Sequence, residues 1–327
     1  MIQAMQILQL PLLDLSERIE QELTENPFLE VVEPDGEAPA SDNDQHPGDN
    51  SRDRSTDRGA EAMLDLFAGI DVVIHMAISC LRTSLPAPEL SHDINAGGTL
   101  NVLMAARAHE IERFLYVSSS EIYGSAQTVP MSESHPVNPT TVYGASKLAG
   151  ELYALAYWRT YALPVSVVRP FNTYGPRSPY EGARSEVIPR FILQLEAGRA
   201  PVIYGDGSQT RDFTYVDDTA AGIVSAAECD ALVGETVNVA YGSEASVAHI
   251  AKALATLVGR EDLIGVREAA RPGDVDRHYA DISKAQRLLK FEPTTPLETG
   301  LERTLAWFRS EGIAERVDPE AAGKPNW

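Results

Sequence analysis

Cysteine occurs only twice in this 327-residue chain, at Cys80 and Cys229, too rarely and too far apart to staple a fold with disulfides. No Cys-x-x-Cys or His-Glu-x-x-His spacing occurs either, so no metal site is predicted. Positive charge is scarce: 27 Lys and Arg stand against 48 Asp and Glu, a formal net charge of −21. Binding along a nucleic-acid backbone needs clusters of Lys and Arg, and their absence argues against it. Local arginines can still hold a diphosphate. No apolar run approaches the ~20 residues that span a bilayer. The apolar start Met1-Ile-Gln-Ala-Met5 lacks the basic head of a signal peptide, since the first positive side chain is Arg18. A cytoplasmic protein with no membrane partner is expected.

What remains is ordinary for a soluble globular chain, with 43 % apolar and 23 % charged residues. One or two cored domains and an appendage are expected. Tyr143-Gly-Ala-Ser-Lys147 sets a phenol and an ammonium four residues apart, on one helical face about a turn apart. A tyrosine titrates near ~10, so one acting as a base at neutral pH needs a fixed positive charge beside it. Lys147 offers one. Ser118-Ser119-Ser120-Glu121 closes a strand-like stretch, Phe114-Leu-Tyr-Val117, and would bring a hydroxyl to the same substrate oxygen. Tyr-x-x-x-Lys alone arises by chance in many helices, but here it follows an apolar strand, Asp71-Val-Val-Ile-His-Met-Ala77, and Asn95-Ala-Gly-Gly-Thr-Leu-Asn101. After it comes Val165-Ser-Val-Val-Arg-Pro-Phe-Asn-Thr-Tyr-Gly-Pro-Arg177.

In that order, from about residue 57 to 309, the motifs resemble the extended short-chain dehydrogenases that act on nucleotide sugars: 4-epimerases, 4,6-dehydratases and UDP-glucuronate decarboxylases. The resemblance implies an α/β fold, with a Rossmann-like parallel sheet and a small C-terminal α/β substrate domain. Residues 59–170 would serve mainly the cofactor and 171–327 mainly the nucleotide sugar. It implies NAD as cofactor, touched by Ala77, Asn95, Ser118, Tyr143, Lys147 and Pro170, and a homodimer. Tyr143 would take the proton of the sugar 4-hydroxyl, Ser119 would hydrogen-bond that oxygen, and a 4-keto intermediate would follow. Asn95 and Pro170 also read as a turn residue and a strand-end residue. Glu121 stands where decarboxylases and some dehydratases carry an acid, and reads equally as a solvated carboxylate. Ser120 replaces the aspartate of dTDP-glucose dehydratases, which weakens that reading; epimerase, dehydratase and decarboxylase stay open. Asn172, Arg211 and Arg271 are the substrate-binding candidates, the two guanidinium forks suiting a pyrophosphate. UDP is the first choice of nucleotide.

A family member would open with a strand, a Gly-x-x-Gly-x-x-Gly turn and a helix, followed by a second βα pair. None of this is present. The sheet is therefore expected to be truncated at its N-terminal βαβ and cofactor binding to be impaired, because the glycines let backbone amides approach the pyrophosphate.

Residues 1–58 hold fourteen Asp and Glu against four Arg. Ile2, Met5, Leu8, Leu12, Leu15, Ile19 and Leu23 form a helical apolar stripe that Pro11 should interrupt. Residues 34–58, rich in Asp, Gly, Pro, Ser and Asn, read as a disordered acidic linker. A helix is expected again at Ala60–Phe67. The stripe, with Glu20-Gln-Glu-Leu-Thr-Glu-Asn-Pro-Phe-Leu-Glu30, resembles the activator-interacting region of sigma-54-type transcription factors. That resemblance implies a helical appendage over residues 1–33 that contacts a AAA+ activator or RNA polymerase. The alternative function is then an inert enzyme remnant fused to that segment.

Overall fold

A computed structural model describes residues 66–263, 265–270 and 275–317. The expected helical appendage, the acidic linker, most of the Ala60–Phe67 helix and Arg271 lie outside the described residues.

Four strands form one parallel sheet in sequential order: β1 (Val72–His75), β2 (Arg113–Val117), β3 (Val165–Pro170) and β4 (Thr236–Val239). Parallel neighbours need crossovers. Helix α1 (Gly98–Ala108) joins β1 to β2, and α2 (Val142–Tyr161) joins β2 to β3. The strands are almost wholly apolar because both faces of a doubly wound sheet are covered. On one face Leu103, Ala106, Phe114, Tyr116, Ala154 and Val167 pack together. On the other, Leu115, Val168 and Val239 meet Ile223 of α4 (Val216–Glu228) and Leu289 of the helix Ser283–Leu289.

Three further helices, α3 (Val187–Glu196), α5 (Val247–Val258) and α6 (Leu297–Ser310), pack around Phe191, Leu195, Ile250, Leu254, Leu301 and Phe308 as a separate core. Short strand pairs accompany them: Val202–Tyr204 with Val266–Glu268, Thr210–Arg211 with Ala245–Ser246, and Thr173–Tyr174 with Thr214–Tyr215. This is the expected architecture of a Rossmann-like sheet with a smaller α/β part. Among the described residues β1 pairs only with β2, so it forms the edge of the sheet. Val72, Ile74 and Met76 are 41 %, 40 % and 48 % exposed there. No described helix is long and apolar enough to cross a membrane.

Candidate active site

Ser118, Ser119 and Ser120 follow directly on β2, at the carboxyl ends of the strands where open α/β sheets bind ligands. Ser119 caps the single 3-10 turn Ser120–Ile122, its Oγ accepting from the Glu121 amide at 3.2 Å. Helix α2 begins beside this turn. Thr141 caps it by accepting from the Gly144 amide at 3.1 Å, which places Tyr143 in the first turn and Lys147 one turn further on. Two glycines let α2 lie this close. A Cβ on Gly144 would come within 2.7 Å of the Glu121 carbonyl, and one on Gly150 within 2.4 Å of the Tyr116 hydroxyl.

Tyr143 is buried and hydrogen-bonded to Ser119. Burial pushes its phenol well above the usual tyrosine range, nearby Glu121, Glu186 and Cys80 add to this, and the Ser119 bond opposes it. Lys147 turns into the sheet. Its Nζ donates to the Val117 carbonyl at 2.7 Å and sits 4.4 Å above the Tyr116 ring. Burial pulls its ammonium down to about 7, with the Glu151 carboxylate opposing. The four-residue spacing thus puts both side chains on the expected face, but in this structure the lysine is anchored on a strand carbonyl.

Ser118, Ser119, Glu121, Tyr143, Lys147, Pro170, Asn172 and Arg211 all line one cleft of about 520 Å³. Asn172 Oδ1 is buried without a hydrogen-bond partner, as an acceptor awaiting a ligand donor is. Arg211 is held by its own Nη1, which donates to the carbonyls of Thr210 at 2.8 Å and Val275 at 2.7 Å. The neighbouring Asp212 carboxylate accepts from the amides of Tyr241, Gly242 and Ala280, fixing the loop that presents Arg211.

The remaining sequence candidates lie elsewhere. Asn95 is wholly buried, with Oδ1 accepting from the Ser79 amide at 2.7 Å and Nδ2 donating to Ser79 O, Ser91 Oγ and Ser146 Oγ. It shapes the segment after β1 from beneath. Ala77 is exposed on that segment, whose neighbours Met76 and Ile78 reach the cleft. The Ser118 hydroxyl is taken by the Glu151 carboxylate at 2.6 Å.

Four cleft residues escaped the sequence reading: Cys80, Arg82, Glu186 and Arg190. Arg82 reaches across to Glu186 at 3.3 Å, joining the segment after β1 to the start of α3. Arg190 is buried against Tyr204, donating to its hydroxyl at 3.3 Å. A lone arginine inside the apolar run Val187-Ile-Pro-Arg-Phe-Ile-Leu was the available signal for it. Nothing local marks Cys80 or Arg82.

A nicotinamide cofactor fits this surface in part. Lys147, Tyr143, Ser118 and Pro170 all line the cleft, while no glycine-rich turn stands ready for a pyrophosphate among the described residues.

Known proteins share this arrangement. The putative UDP-glucose 4-epimerase of Methanocaldococcus jannaschii is 35 % identical over 75 % of this chain and 79 % of its own length. The UDP-glucuronate 4-epimerase of Thermodesulfobacterium geofontis is 36 % identical over 73 % of each. Among solved structures, UDP-glucose 4-epimerase from Thermotoga maritima with UDP-glucose superposes with a TM-score of 0.74 at 30 % identity, covering 77 % of this chain and 82 % of that one. UDP-glucuronic acid 4-epimerase from Bacillus cereus, with UDP-glucuronic acid and NAD, gives 0.72 at 32 % identity, covering 76 % and 78 %. Residues 1–31 match the activator interacting domain of the sigma-54 factor. Residues 56–304 match the model of GDP-mannose 4,6 dehydratase, and the chain belongs to that family of NAD-dependent nucleotide-sugar epimerases and dehydratases.

Proposed function

We propose that this chain carries the catalytic half of an NAD-dependent UDP-sugar 4-epimerase. The observation that supports it most is the meeting of Ser119, Tyr143 and Lys147 with Asn172 and Arg211 in the lining of one cleft. Tyr143 takes the proton of the sugar 4-hydroxyl, and Ser119 hydrogen-bonds the same oxygen. Because burial holds the phenol protonated, Tyr143 acts as a base only when positive charge is brought close, which Lys147 does by leaving the Val117 carbonyl. The chemistry a bound NAD⁺ supplies is acceptance of a hydride from carbon 4 and its later return. Asn172, Arg211 and, outside the described residues, Arg271 hold the nucleoside diphosphate. Ser120, where dTDP-glucose dehydratases carry an acid, leaves Glu121 as the only carboxylate in the serine turn and favours simple return of the hydride over loss of water. The two free cysteines accord with a cytoplasmic setting.

The full chain is to be incubated with NAD⁺ and either UDP-glucose or UDP-glucuronate and followed by proton NMR. The 4-epimer is the expected product. A pentose product identifies a decarboxylase, a 4-keto-6-deoxy sugar a dehydratase, and no product in either case counts against activity of this chain. The sigma-54 match of residues 1–31 favours one second reading, binding of a AAA+ activator by that segment. Pull-down of a purified activator by the full chain but not by residues 59–327 tests it.

A further inference from the structure

Helix α2 carries a third ionisable group, Glu151, one turn beyond Lys147 on the same face. It is 1 % exposed. A carboxylate that deep is strongly disfavoured unless it is paired and hydrogen-bonded. Three bonds meet it. Ser118 Oγ donates to Oε2 at 2.6 Å, Arg169 Nε donates to the same oxygen at 3.1 Å, and Arg169 Nη2 donates to Oε1. Arg169 Nη1 in turn donates to the Tyr123 hydroxyl at 2.7 Å and the Glu133 carbonyl at 3.1 Å. Tyr123 passes its own proton to Asn238 Oδ1 at 2.7 Å. One buried network thereby ties α2 to the ends of β2, β3 and β4 and to the serine turn.

The groups set against the Lys147 ammonium are His75 on β1, Tyr116 on β2 and Glu151 on α2, with the Arg169 guanidinium behind Glu151. Burial holds His75 neutral and the Tyr116 phenol protonated. Glu151 is the one anion among them. We propose that Glu151, braced by Arg169 and Ser118, is the positioning residue of the site, seating α2 on the sheet and holding a negative charge one turn from the Lys147 ammonium. Its meaning for catalysis rests on the proposed function; its effect on Lys147 does not.

Selective carbon-13 labelling of lysine in the full chain yields five side chains to follow, Lys147, Lys252, Lys284, Lys290 and Lys324, and Lys147→Arg assigns the buried one. In the unaltered protein the expected Lys147 midpoint is about 7, drawn below the ordinary lysine range by burial. In Glu151→Gln its midpoint falls by about one pH unit or more. Simple loosening that admits water moves it the other way, toward the ordinary ~10.4 of lysine, so the sign separates an electrostatic from a merely structural role. If Glu151→Gln does not fold, the paired change Glu151→Gln with Arg169→Met removes both charges at similar volume, a replacement buried pairs tolerate, and because the lost guanidinium also repelled Lys147 its midpoint falls by less than in the single variant but still falls. Glu151→Asp, which keeps the charge, returns the midpoint to within about half a pH unit of the original. A Lys147 midpoint at or above the unaltered value in a folded Gln variant overturns the proposal. If the midpoint falls as expected but the unaltered chain turns over no nucleotide sugar, the functional reading fails and this one stands.

Discussion

Removing the phenolic oxygen at Tyr143 takes away the base and nothing that holds the nucleotide. In any active form of the enzyme, Tyr143→Phe is expected to lower kcat by about 10²–10⁴-fold. UDP affinity, measured by titration calorimetry, is expected to stay unchanged because Asn172 and Arg211, and not Tyr143, are the proposed diphosphate contacts. Retention of most of the rate removes Tyr143 from its role. Two buried histidines govern acid stability. His75 Nε2 faces Thr99 Oγ1 at 2.9 Å, and since that hydroxyl donates to the Asn95 carbonyl at 2.7 Å, the imidazole is the donor. His278 Nε2 donates to the Ser120 carbonyl at 3.1 Å, and its Nδ1 has no partner. Burial depresses each from 6.5 to about 4, so in that window the unfolded chain binds more protons and stability rises with pH. Their contribution is complete above 6.5 and disappears as pH falls through about 4, a loss on the order of a few kcal/mol. Urea midpoints at pH 7 and pH 5 should differ, and the difference should shrink in a His75→Gln, His278→Gln variant. Equal midpoints in the unaltered protein refute this. Tyr143, Lys147 and Ser119 were legible because their spacing repeats on one helix and one strand end. Glu151 and Arg169 were not, since their pairing joins residues eighteen apart that only the packed sheet brings together.

Helix α2 carries most of the constraint at the level of elements. Gly150 lets it approach β2, and Gly150→Ala sets a methyl against the Tyr116 hydroxyl and the Asn95 carbonyl, 2.4 Å and 3.0 Å from the added carbon. Overpacking of this kind costs about 1–3 kcal/mol, and it should also break the bond from Tyr116 to the Lys147 carbonyl. A lower thermal midpoint with a shifted Lys147 signal is the expected outcome; an unchanged midpoint would show that the helix has room to move. Losing the cap through Thr141→Ala costs about 1 kcal/mol and frays the turn that holds Tyr143. The strands β1, β2 and β3 were readable from continuous apolar runs, and α2 from the Tyr143–Lys147 spacing, whereas Thr236–Val239 was not singled out. The two-residue pairs Thr173–Tyr174 with Thr214–Tyr215 and Thr210–Arg211 with Ala245–Ser246 were not, because segments that short carry no pattern and exist only through the partner.

For the whole molecule, the exposed edge at β1 dominates. An apolar edge strand templates association; among the described residues β1 has a partner on one side only, and Val72, Ile74 and Met76 lie exposed there. Residues 59–327 are expected to purify as an oligomer or aggregate, and Ile74→Lys to shift light-scattering mass toward the monomer. A monodisperse, cooperatively unfolding monomer without that change would mean the edge is not sticky. The same surface bears on the cofactor. Without pyrophosphate amides, calorimetry should give an NAD⁺ affinity weaker than micromolar, and tighter binding would overturn this. Helix α2, the serine turn and Arg211 nevertheless meet at one cleft, which the segment after β1 also lines. A cleft assembled beside a strand with a single described partner is an address for complementation. A separately made strand-turn-helix fragment that pairs with Val72–His75 would unite its amides with Tyr143 only on association, so that sugar turnover would report the meeting of two polypeptides.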